Sequence, residues 1–182
     1  MNKYLKWGLI TALTIGALLY FAYLFLIAQT KKASPEETVS YNSNGYTIEV
    51  FYNRPSKKGR KIFGNLVSFD EVWRTGANEA TTFETETDLS IGGNTLKAGK
   101  YTLWTIPGQS SWAVIFNKKQ YSWGVSNGAA SRKAEFDALQ IEVPVKHLST
   151  PVEQFTIELS EENSKPIMSL VWDDTKVSVP IL

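Results

Sequence analysis

The chain has 182 residues, with 19 basic and 18 acidic side chains, one histidine and no cysteine. That inventory excludes a disulfide framework, lipidation at a cysteine and a zinc centre built on Cys and His. Four of the lysines, Lys3, Lys6, Lys31 and Lys32, flank one apolar run; without them 15 basic residues face 18 acidic ones, a net of −3 that does not suit a nucleic-acid surface.

The apolar run, Trp7 to Ala28, is 22 residues without a charge, against about 20 needed to cross a hydrocarbon core as a helix. A signal peptide has a shorter apolar region and a small residue at the minus-three position. Cleavage after Ala28 would put Leu26 there, so the run reads as an uncleaved anchor, the alternative being a signal peptide. Lys3 and Lys6 make residues 1–6 a short cytoplasmic tail and place the C-terminal part outside the cytoplasm. The expectation is a single-pass protein of a bacterial cytoplasmic membrane with a periplasmic domain. Residues 29–40, with KKASPEETVS, have a linker's composition, and residues 41–182 suit one domain.

Strand patterns recur along that domain, separated by turn signals. Tyr46 to Tyr52 alternates around Ile48 and Val50 and ends at Asn53-Arg54-Pro55. Glu79 to Thr87 has Thr and Phe at strand spacing, and Leu89 with Ile91 precede the tight-turn signal Gly92-Gly93-Asn94. Lys100 to Ile106 and Trp112 to Phe116, joined through Pro107-Gly108-Gln109-Ser110, read as a hairpin. Ser126 to Lys133 reads as an exposed loop, and Leu139 to Val145, Glu153 to Leu159, Ile167 to Trp172 and Lys176 to Ile181 as four more strands. The predicted class is all-β, a single antiparallel sandwich or jelly-roll-like domain behind one transmembrane helix.

Residues for chemistry are few. His147 stands alone at a strand end, and the pairs Glu161-Glu162 and Asp173-Asp174 read as solvated turns without calcium-loop spacing. No nucleophile elbow, phosphate loop or dinucleotide fingerprint is present, so no cofactor is expected. The exception is EVWRTGANEATTFE, Glu71 to Glu84, which crowds Arg74, Asn78 and Glu79 at the edge of a strand. Alternation places Glu79 on the same side as Phe83, where a carboxylate requires a partner, and Arg74 across the turn is a candidate for it. Two readings stay open: a staple that fixes a loop to the sheet, or a pocket in which Arg74, Asn78 and Glu79 act with Trp73, Trp104 and Trp123. Trp104 has the opposite parity to Tyr101 and Leu103, which predicts a ring face toward solvent.

Several uncommon strings occur in order: KGRKIFG at Lys58 to Gly64, EVWRTGANEATTF at Glu71 to Phe83, AGKYTLWTIPG at Ala98 to Gly108, and WAVIFNK at Trp112 to Lys118 followed by Trp123-Gly124. In these the chain resembles a bacterial family of unknown function, DUF2911, from about Val39 to Ile181. The resemblance implies an exported all-β domain and no established activity. Three functions are compatible with the residues: a membrane-tethered module binding a small polar ligand or glycan, an envelope protein–protein assembly module, and a carboxylate-dependent hydrolase using Glu79.

Overall fold

The structure, a computed structural model, describes residues 2–182. It divides into two units, a helix ending at Ala33 and a β domain beginning at Ser34.

Helix α1 (Lys3–Ala33) has 31 residues, none of them buried, and is about 46 Å long at 1.5 Å per residue. It extends the apolar run by charged turns at both ends, because lysines are good helix formers and those at the C-terminal end also face the negative end of the helix dipole. Inside the run, the Thr11 and Thr14 hydroxyls donate to the carbonyls of Trp7 at 3.0 Å and Ile10 at 2.9 Å. Each hydroxyl is thus satisfied within the helix, as an apolar surrounding requires. Its length and composition suit a membrane anchor or a signal sequence.

The domain is built on β1 (Glu36–Ser43), β2 (Tyr46–Asn53), β3 (Thr82–Thr85), β4 (Leu89–Ile91), β5 (Asn94–Leu96), β6 (Gly99–Pro107), β7 (Ser111–Asn117), β8 (Val125–Ser126), β9 (Ala129–Ala130), β10 (Asp137–Glu162) and β11 (Lys165–Pro180). Seven form one antiparallel sheet in the order β1-β2-β3-β6-β7-β10-β11, and β4-β5 and β8-β9 are small hairpins. The expected antiparallel all-β fold is present, with its layers supplied by a single sheet that curls nearly into a barrel. Strand β10 makes the curl possible: its first part pairs with β7, and its later part pairs with β11. The far edge returns to it where Tyr52 Oη accepts from the Ile157 N–H at 3.0 Å and Tyr41 Oη donates to Glu161 at 2.7 Å.

Period-two alternation fills the interior. Ile48, Val50 and Tyr52 from β2, Phe83 from β3, Leu103 from β6, and Trp112, Val114 and Phe116 from β7 are all buried in one cluster. A fully buried side chain such as Phe83 or Leu103 contributes roughly 1.5–3 kcal/mol. On the outer face, Trp104, Ile115 and Ala80 form a second cluster, roofed by Tyr121 and Ala130 from the segment after β7.

Three expectations change. Residues 36–40, read as linker, belong to β1, paired with β2 from Glu36↔Asn53 to Ser43↔Tyr46; their polar composition reflects an edge strand with one wet face, while Val39 and Tyr41 pack on the core. The four last runs are two long strands, because the polar residues between them stay in the ladder as bulges rather than turns. The 126–133 loop carries the β8-β9 hairpin, followed by a single 3-10 turn at Ala134–Phe136.

Candidate functional site

EVWRTGANEATTFE runs beside β6 and leaves it for one excursion. Trp73 bonds Thr105 in both directions, at 2.7 and 3.1 Å, and Thr82 pairs again with Thr102. Between those points the segment carries eight residues opposite the two of β6, so the surplus bulges outward. Left-handed φ values of 55° at Thr75 and 52° at Asn78 turn the chain there, an uncommon conformation for a β-branched residue that persists only where its surroundings enforce it. They do: Thr81 Oγ1 donates to the Thr75 carbonyl at 2.7 Å, and the Thr75 and Thr105 hydroxyls lie 3.2 Å apart. Gly76 is required because a Cβ there would sit 2.9 Å from the Asn53 carbonyl oxygen.

The structure brings Arg74, Asn78 and Glu79 together in this bulge, around the fully buried Asn53. Asn53 Nδ2 donates to Glu79 Oε2 at 3.2 Å, and Asn78 Nδ2 donates to Asn53 Oδ1 and to the Ser34 carbonyl, both at 3.4 Å. Arg74 does not take the place foreseen for it. Its Nε donates to the Gly76 carbonyl at 3.3 Å, and its stem lies against Gly124. Burial lowers the pKa of the half-buried guanidinium, and among the described residues no carboxylate pairs with it. The bulge turns its backbone carbonyl, not Glu79, toward the arginine.

The three tryptophans separate. Trp123 is half-buried in the segment leading to Gly124, whose N–H donates to the Asn78 carbonyl at 2.9 Å. Trp73 points to the interior, stacked on Trp172 at 5.9 Å and edge-on to Trp112 and Phe155. Trp104, expected to show a face to solvent, is fully buried: its parity does place it on the outer face, but Tyr121 crosses its ring edge-on at 5.4 Å and covers it. Trp104 Nε1 donates to Thr102 Oγ1 at 2.9 Å.

A different hollow lies where the β10-β11 ladder breaks. The register jumps from His147↔Thr175 to Val152↔Asp173, so residues 148–151 face Asp174 alone. Asp173 there has a φ of 53°. A cleft of about 610 Å³, counting the space at its mouth, opens at this break, lined by Lys61, Phe69, Gln109, Trp112, His147 and the Asp173-Asp174 pair. Lys57 bonds Asp173, Thr175 Oγ1 donates to Asp174 at 3.0 Å, and His147 Nδ1 stands 3.8 Å from Asp174. Two lysines, Lys57 paired with Asp173 and Lys61 in the lining, thus match the cleft's two carboxylates in number.

Trp112 supplies the telling atom. It is 1% exposed, and its Nε1 has no hydrogen-bond acceptor, whereas the equally buried Trp104 and Trp172 donate to Thr102 Oγ1 and to the Glu153 carbonyl at 3.2 Å. An unpaired buried donor costs roughly 1–3 kcal/mol, and such orphans need an explanation. Sequence reasoning missed this cleft because its parts come from four separate segments. The one local signal is an Asp-Asp pair interrupting an apolar strand.

No curated protein and no solved structure matches the chain significantly. The family model described as a protein of unknown function (DUF2911) matches residues 34–181, all of the β domain but its last residue. On that match the chain belongs to the DUF2911 family.

Proposed function

We propose that this protein is a membrane-anchored, extracytoplasmic binding domain whose cleft at the β10-β11 break takes a small, uncharged, hydroxyl-rich ligand. The observations that carry this reading are that Trp112 lines the cleft and that its buried indole N–H has no acceptor within the protein. A hydroxyl oxygen is the acceptor this donor lacks, and the same hydroxyl's proton can go to Asp173 or Asp174. Balanced lysines and carboxylates favour a ligand without net charge, since a bare ion would leave one side of the balance unpaired. Phe69 adds apolar surface for the C–H side of such a molecule. In this reading Arg74, Asn78 and Glu79 fix the bulge, and α1 keeps the domain at the periplasmic face of the cytoplasmic membrane.

The test is thermal unfolding of the full chain in a detergent without sugar headgroups, with N-acetylglucosamine or citrate added. The neutral sugar should raise the melting temperature of wild type and leave Trp112→Phe unmoved. A rise with citrate alone contradicts the reading and points to Arg74 as an anion anchor.

A further inference from the structure

We infer, building on the cleft reading above, that the ligand is a chain of uncharged sugar units, longer than one unit, which crosses the β6-β7 turn from the cleft into a second groove. The turn that joins β6 to β7 separates two hollows. On one side is the Trp112 cleft; on the other is an open groove of about 710 Å³, counting the solvent space above it, lined by Asp70, Ser110, Ser111, Gln140 and Glu142. Gly108 and Gln109 line both. The ridge between the hollows carries no side chain at position 108 for a steric reason. A Cβ at position 108 would lie 2.5 Å from the Ser111 carbonyl oxygen, so the turn holds glycine there and the ridge consists of backbone and the exposed Gln109 side chain.

The second groove is open and mostly polar. Gln140 and Glu142, two residues apart on β10, project from the same face, and the cross-strand partner of Glu142 is Ala113, too small to fill the space. Gln109 and Gln140 each offer donors and an acceptor, which matches hydroxyl groups that do both. Asp70 and Glu142 are carboxylates, and no lysine or arginine lines this groove. It therefore suits hydroxyl donors and disfavours acidic sugars. One ligand touching both hollows gains from the second set of contacts at little further cost in lost freedom.

Calorimetric titration of the full chain in a detergent without sugar headgroups, using N-acetylglucosamine and its β-1,4-linked tetramer, tests the inference. The tetramer should bind wild type about tenfold or more tightly than the monomer. The double variant Gln140→Ala/Glu142→Ala, at two exposed positions, should bring the tetramer down to the monomer's affinity and leave the monomer unchanged. Trp112→Phe should weaken both. Equal affinities in wild type, or a tetramer indifferent to the double variant, overturn the chain inference while the cleft reading stands. Binding of neither sugar removes both. Tighter binding of a hydrophilic peptide of similar length than of the tetramer assigns the groove to peptides and overturns the saccharide assignment.

Discussion

Arg74 occupies the space that any side chain at position 124 needs: a Cβ built on Gly124 falls 2.6 Å from Arg74 Cδ and 2.7 Å from its Cβ. The contact joins the bulge to the segment that roofs the outer face, alongside the bond from the Gly124 N–H to the Asn78 carbonyl. Gly124→Ala must push the arginine or the backbone aside. Overpacking of this kind costs typically about 1–3 kcal/mol. Urea unfolding of the two proteins should show a loss in that range, and equal midpoints would mean that Arg74 is not held where the structure has it.

Asn53 is the hub of the bulge. It is fully buried, accepting from Asn78 and donating to Glu79. Replacement by alanine removes one hydrogen bond from each neighbour at once, and a bond of this kind contributes roughly 0.5–1.5 kcal/mol. Glu84→Gln is the control, because Glu84 and Lys100 pair on the exposed face of β3 and β6, where such pairs contribute about 0–1 kcal/mol. A control that loses as much as Asn53→Ala would remove the hub from this account.

Thr102 joins the outer cluster to the loop above it. Its hydroxyl accepts from Trp104 Nε1 and donates to the Lys119 carbonyl at 2.9 Å. Thr102→Val keeps the shape and removes the oxygen, turning Trp104 into an unpaired buried indole like Trp112. The expected destabilisation is about 1–3 kcal/mol, accompanied by faster amide exchange around Tyr121 as the roof loosens. Unchanged stability would contradict the bond.

Alkaline pH tests the closure of the sheet. Burial, above all, pushes the Tyr52 hydroxyl up to about 12, against an ordinary value of about 10. The folded state binds this proton more tightly than the unfolded chain does. Its contribution is therefore complete below the unfolded value and is lost as pH rises from there through the folded value. Unfolding free energy should fall with pH across that window, and Tyr52→Phe should flatten the fall. A residual slope of the same sign belongs to Tyr41, Tyr101 and Tyr121, which are also raised, Tyr41 chiefly by its bond to Glu161 and the other two by burial. A variant that loses stability as steeply as wild type would show that Tyr52 does not link β2 to β10 in this way.

The β2, β4-β5 and β6-β7 elements were legible because alternation and turn chemistry are local: Gly92 and Gly93 sit at φ 58° and 77°, as the tight hairpin requires. Edge strand β1 was not, since one wet face gave it the composition of a linker. Crowding at Arg74, Asn78 and Glu79 was visible in the sequence, but its direction was not. Whether an arginine meets a carboxylate or a carbonyl depends on left-handed backbone at Thr75 and Asn78 that composition does not announce. Parity placed Trp104 on the outer face correctly, yet nothing local told that Tyr121 returns to cover it. The cleft was least legible of all, because Lys61, Trp112, His147 and Asp173 meet only after β10 bends.

The most direct measurement follows the Trp112 indole proton. In a nitrogen-15 correlation spectrum of the full chain, Trp112→Phe identifies its Nε1–H resonance, and the tetramer of β-1,4-linked N-acetylglucosamine is then titrated in. The resonance should move toward the hydrogen-bonded range as the orphan gains an acceptor, while that of Trp104, already bonded to Thr102, stays in place. A Trp112 signal that is already in the bonded range without sugar, or that does not move at saturating sugar, would contradict the claim that this donor is held for a ligand.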